Sequence, residues 1–359
     1  MTQRTAPQIP AQGRGTTRRA RHVAPPLADA PTSGRSAADP LTEQILGRLP
    51  GSRWTWVLAW ALAPWVNLLV LTGWASAWPW NDIPWEEVLN RIAVTFSVLL
   101  SLWGAARIAD ELRRLQPDLV SVVEEEQPDV ARTFRGVDRV LAPLLLTAAV
   151  GVVLPLDEAL RGEPGQALIQ FATWLVIGIP LATALWVYVT LQIGLTRLGR
   201  GHLTLQGYRG DRSLGLEAVG RLAFTGFWML FGAVAPLVLT GFSDPPVVIV
   251  GGIVLTAGVV LFFVSLRGLH RQMTAIKQRE LDRALALYQE AYEQVQENAS
   301  LEVLQQQVGL LNAAESLEKR AERIQEWPFD EATFARVVTI ASSVTAVIIA
   351  RLILAPAGL

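Results

Sequence analysis

The chain has 359 residues, is 51% hydrophobic and 18% charged, and carries a formal net charge of −1, with a mean hydropathy of +0.32. Near-neutrality leaves no broad basic field and excludes nucleic acid as a partner, while the absence of cysteine excludes disulfides, thiolate metal sites and a cysteine nucleophile. The apolar excess points to the lipid bilayer.

Residues 1–53 are rich in Thr, Pro, Arg, Ala and Gly and have no apolar core of the secretory type. They are read as a disordered, Arg/Pro-rich cytoplasmic tail. The next stretch, 54–78, is the first of seven apolar runs; the others are 92–108, 140–156, 167–193, 222–241, 247–266 and 333–354. Each is long enough for a helix to cross about 30 Å of hydrocarbon. The expected fold class is therefore an all-α integral membrane protein of about seven transmembrane helices, with six of them forming a bundle over 54–266.

Arginine placement orients the chain, because short cytoplasmic loops retain basic residues. Segments 1–53, 109–139 and 196–221 hold eight, five and five arginines, whereas 79–91, 157–166 and 242–246 hold only Arg91 and Arg161. This places the N-terminus in the cytoplasm and the C-terminus outside, in a plasma (inner) membrane. Only Lys277 and Lys319 are lysines, an Arg-heavy usage that suggests a bacterial source. Trp54, Trp56, Trp78, Trp80 and Trp85 sit at span ends, where indoles suit the headgroup layer.

Within 109–139 the tripeptide Gln-Pro-Asp occurs at 116–118 and again at 127–129. Pro and Asp suit the first turn of a helix, so two short amphipathic helices are expected there. No Asp or Glu lies in the middle of a span, which disfavours a carboxylate proton relay. The neutral polar residues Asn67, Gln170, Thr173, Thr183 and Thr190 form the candidate polar path, as either a pore lining or an inward packing stripe. Small residues Thr339, Ser342, Ser343, Ala346 and Ala350 give the last span a face for helix contact.

The insert 267–326 must leave and re-enter on one side. A straight helix of that length would run about 90 Å away, so a reversal is needed, and Asn298 and Ser300 in "QENAS" offer caps at its midpoint. Leu281, Leu285, Tyr288, Tyr292 and Val295 repeat at heptad spacing before it, and Leu304, Val308 and Leu311 continue after it. A long cytoplasmic antiparallel helical hairpin with these residues as its internal seam is expected between the sixth and seventh spans. At its end Pro328 stops the returning arm, Asp330 caps the seventh span, which falls in 327–359, and Trp327 anchors the junction at the interface.

Signatures for nucleotide, zinc-protease or serine-hydrolase chemistry are absent. The expectation is a protein that is not an enzyme, with no catalytic residues, cofactor or metal. Two functions stay open: a homo-oligomeric channel or passive transporter carrying a coiled-coil hairpin, and a membrane-anchored scaffold or regulatory protein. Besides the lipid bilayer, the expected partner is a further copy of the chain or a cytoplasmic protein docking on 267–326.

Overall fold

The computed structural model describes residues 39–75, 84–120, 133–153, 160, 164–201, 213–240, 245–297, 301–329 and 331–354, all within one compact unit spanning Ala37–Leu359. Every regular element among them is helical: α1 (Leu41–Leu46), α2 (Arg53–Ala75), α3 (Trp85–Val120), α4 (Leu141–Val153), α5 (Pro164–Arg200), α6 (Glu217–Thr240), α7 (Pro245–Glu297), α8 (Leu301–Glu322) and α9 (Glu331–Leu354). Four stretches are long and apolar enough to cross a membrane: Trp85–Leu115, Gln170–Arg200, Glu217–Thr240 and Val248–Gln296. Leu141–Val152 and Ala332–Val347 are shorter apolar helices.

The core is built by α3, α5, α6 and α7. Ile108, Leu112, Tyr188, Leu191, Leu195, Phe227, Leu230 and Phe262 are fully buried, and the Tyr188 hydroxyl donates to the Gly258 carbonyl at 2.6 Å. This bond spares a buried phenol from being left unpaired. Where α5 crosses α7 the backbones nearly touch: a Cβ on Gly268 would sit 2.7 Å from the Gly199 carbonyl oxygen. Small residues at a crossing let helices approach closely when no water drives them together.

The arginine-bearing segments meet at one end of the bundle. Arg113 bonds Asp39 at 3.0 Å, the Gln44 amide donates to the Asp138 carbonyl at 3.1 Å, and Arg197 donates to the Thr133 carbonyl at 3.3 Å. The Gln272 amide reaches the carbonyls of Gly199 and Gly201 at 2.8 and 2.9 Å. Thr225 donates to Glu111 across α6 and α3 at 3.2 Å.

Three boundaries differ from the sequence reading. Residues 39–53, taken there as part of a disordered tail, include α1, with Leu41, Thr42 and Leu46 buried and Glu43 paired with Arg53 at 2.8 Å. Six residues show no periodicity of their own; tertiary contact holds this helix. Residues 1–38 lie outside the described residues. Secondly, α3 continues through Gln116-Pro117-Asp118, where a new helix start was expected, because Ala105, Ile108, Leu112 and Leu115 extend one buried stripe past the apolar run. The second tripeptide and the acidic 124–126 are outside the described residues. Thirdly, α7 is one helix of 53 residues, so the first half of the charged insert directly continues the preceding apolar run.

From residue 301 the chain runs back along the distal half of α7. Gln307 bonds Gln294, Tyr288 bonds Glu318 at 3.0 Å, and Lys277 bonds Glu326 at 3.1 Å, an antiparallel ladder. Its foot is wedged into the bundle. A Cβ on Gly220 of α6 would lie 1.8 Å from the Pro328 carbonyl oxygen, so only glycine admits the chain there.

Two outcomes follow. Gly220→Ala should lower stability in detergent by about 1–3 kcal/mol, the usual cost of overpacking, whereas Gly309→Ala, with open space around its Cβ, should raise it by about 1 kcal/mol; thermal denaturation of both variants checks this. Burial, aided by Asp39 and Asp110 and opposed by Arg53, holds the Glu43 carboxyl above its usual range. The folded form therefore favours the proton, and α1 docking should strengthen as pH falls and weaken as pH rises through that raised value. Amide exchange of residues 41–46, corrected for intrinsic rates, measures it, with Glu43→Gln removing the dependence.

Candidate functional site

Among the described residues, the Trp-Pro junction gathers the longest run of ring contacts. Trp327 stacks on His270 with ring centroids 4.3 Å apart, and the His270 Nδ1 lies 2.8 Å from the Glu326 carbonyl. From Trp327 the rings run inward: Phe329 at 5.8 Å, Phe262 at 6.1 Å from Phe329, Phe227 at 5.2 Å from Phe262 and Phe231 at 4.3 Å from Phe227. Phe334 of α9 closes on Trp327 at 5.7 Å. Such pairs add about 0.5–1.5 kcal/mol each beyond area burial. Trp327 thus packs half-buried on α7 and α9. Pro328 is the residue seated against Gly220, and Asp330 lies outside the described residues.

The antiparallel pair of α7 and α8 closes on alanine. Ala284 and Ala291 of α7 and Ala314 and Ala321 of α8 are buried, together with Gln307. These positions recur every seven residues and define a heptad with a at 284, 291, 307, 314 and 321. Alanine at a brings the axes to the short end of the usual range, about 8 Å.

The sequence-based seam is corrected by this register. Leu285 is 56% exposed, Tyr292 65%, Val308 55% and Leu311 38%, so they do not line the interior of the pair. Leu281, Tyr288 and Val295 are half-buried; the side chain of Leu304 is not among those described. In the observed heptad Leu281, Tyr288, Val295, Leu304 and Leu311 are e positions, and Leu285, Tyr292 and Val308 are b positions. In an antiparallel pair the e positions of both helices share a flank, and b lies next to e. The residues with the strongest heptad signal therefore form an outward apolar flank. Larger side chains dominate a sequence pattern, but the closest helix contact selects the smallest.

The candidate polar path does not assemble into one lining. Thr183 and Thr190 are buried, and their hydroxyls donate to the Ile179 and Trp186 carbonyls of their own helix at 2.7 and 2.8 Å. Thr173 instead borders an apolar crevice of about 380 Å³ between α2 and α5, with Ala59, Pro64 and Ile177 among its walls. Gln170 is half-buried near the start of α5, and Asn67 lies in α2, its side chain outside those described. The buried polar contact that the sequence reading missed is Gln192, whose amide oxygen accepts from Ser265 of α7 at 2.5 Å. Its amide nitrogen has no hydrogen-bond partner among the described residues. Two residues beyond Thr190, Gln192 lies about 200° around the helix, on nearly the opposite face from Thr190, so the threonine stripe gave no signal for it.

Comparison with protein-family models, curated proteins and solved structures gives no match.

The register makes a direct prediction. Ala314→Leu should force the two arms apart, exposing residues 284–291 and 307–321 to proteolysis and amide exchange. Leu285→Ser, on the outer flank, should leave arm pairing in a single chain unchanged.

Proposed function

We propose that this chain is a multi-pass integral membrane protein in which α2 to α7 and α9 form seven spans and the α7–α8 hairpin projects into the cytoplasm as a docking arm. The bundle anchors the arm and fixes its direction; scaffolding or regulation through contacts made by the arm is the function. The reading is non-enzymatic and needs no cofactor.

The observation that carries it is the contrast between the halves of α7. In its first half Ile249, Val250, Ile253, Val260 and Val264 point outward and are 46–63% exposed, a stripe that only lipid or another apolar body would cover. Its second half is amphipathic and bears charge on three sides. Clustering of Arg53, Arg113, Arg139 and Arg197 near one end supports a cytoplasmic location for that end and for the arm that leaves from it. The packed state of Thr183 and Thr190 supports an anchor over a pore within one chain, because hydroxyls bonded to their own helix do not replace an ion's water.

A channel between copies is the second reading. It is favoured by Thr339, Ser343 and Thr345 of α9, which are exposed although their helix is apolar and bond only carbonyls one turn back.

Two assays decide between these. A reporter inserted near Asn298 should score cytoplasmic and one fused after Leu359 extracytoplasmic; both on the same side overturns seven spans. Vesicles reconstituted with the wild-type chain should pass no ions, and deletion of 270–325 should abolish partner capture while leaving insertion intact. Flux reduced by Thr183→Val or Gln170→Leu would establish a pore and overturn the scaffold reading.

A further inference from the structure

We infer that the apolar flank of the arm is the docking face for a second copy of this chain, two arms closing about a two-fold axis into a four-helix bundle. The inference rests on the membrane-anchored arm proposed above and names what that arm docks.

The flank is out of reach of lipid. Residue 281 lies fifteen residues beyond the 247–266 apolar run, about 20 Å along the helix, and residue 295 about 20 Å further. Leu285, Tyr292, Val308 and Leu311 nevertheless stand 38–65% exposed there, side by side on α7 and α8. The opposite flank, at the g positions, carries Arg283, Glu290, Gln306 and Arg320. This flank is apolar on α7 and on the distal part of α8, with Glu315 and Glu318 entering it toward the foot of the arm, while the other flank is charged.

Anchoring selects the symmetry. Copies inserted in one membrane point their arms the same way, so two flanks meet only about an axis along the membrane normal, with each residue at equal height in both copies. That rotation sets α7 of one chain against α8 of its partner, antiparallel, so helix dipoles alternate around the bundle. The ladder fixes which heights coincide, through Gln294 with Gln307 and Lys277 with Glu326. Tyr292 then meets Val308 of the other copy, and Tyr288 meets Leu311. On the outer rim, at the f positions, Asp282 comes level with Lys319, Gln289 with Asn312 and Gln296 with Gln305. Within one chain the f positions point away from each other, so Lys319, which bonds Glu315 of its own helix, meets Asp282 only between chains. Charge and polarity thus match where apolar residues end.

The area is sufficient. Arms of about 35 Å with axes about 8–10 Å apart offer a flank on the order of 600 Å² each, so pairing buries about 1,200 Å² in total, the lower end for specific interfaces.

The cysteine-free chain allows a clean test in the full-length protein. Tyr292→Cys and Val308→Cys are placed in two differently tagged chains, co-expressed, and oxidised in membranes and in detergent. A cross-linked species of two-chain mass carrying both tags is expected, with the level charged-flank pair Arg283→Cys and Arg320→Cys giving none. Asp282→Lys and Lys319→Asp should each shift the detergent-solubilised protein toward single-chain mass, and their combination should restore the two-chain mass, a rescue that a folding defect would not show. Equal cross-linking on both flanks, single-chain mass for the wild type, or a flank filled by a different protein overturns the inference. Vesicle flotation of the same sample keeps the two readings apart: cross-linking in protein that does not float refutes the membrane anchor alone, and floating protein of single-chain mass refutes the pairing alone.

Discussion

The seat of the Pro328 carbonyl against Gly220 is the constraint on which the rest of the architecture depends. A 53-residue helix that leaves the bundle carries the chain far from where α9 must begin, and α8 alone has no fixed end. The carbonyl fits only because α6 presents no side chain at that point. Rings from α6, α7, the junction and α9 then lock it, since Phe227, Phe262, Phe329 and Trp327 form one continuous path. Proline suits this seat because it has no N–H that would be stranded in an aromatic pocket; α8 has already ended at Glu322, six residues upstream.

Those residues explain what could be read from the sequence and what could not. The helical class and the main apolar elements follow from run length, a one-dimensional property, whereas the end of the returning arm, expected at Pro328, falls at Glu322. Assignment of the helix faces needed the third dimension. Leu285 and Ala284 are neighbours in sequence but about 100° apart around the helix; a pattern search weighs the leucine, whereas close packing of α7 on α8 favours the alanine. Thr183 and Thr190 illustrate the same gap. Their spacing shows a polar stripe, and only the structure shows that each hydroxyl is satisfied by its own helix. Helix α1 was hidden because what holds it is burial of Leu41, Thr42 and Leu46 against other elements, which six residues of sequence do not display.

Taken together, the energetics divide the molecule into a part that is apolar both inside and out and a part that is apolar on one flank only. In the first, glycine contacts and buried rings set helix spacing. In the second, alanine sets the spacing, and the larger apolar side chains are left facing away. A protein that only needed to close its own arm would gain little from Tyr292 and Val308 in water, since their exposure costs solubility. On the reading proposed above, their place on the arm marks a surface for interaction.

The central claim is that the returning arm is fastened to the bundle at its foot, and amide exchange over Ile324–Phe329 in the full-length protein tests it most directly. Clamping predicts that this segment, although it has no helix of its own, exchanges slowly and opens with the α6 and α7 core. Exchange at the rate of an unstructured peptide, with α6 and α7 still protected, would contradict the account.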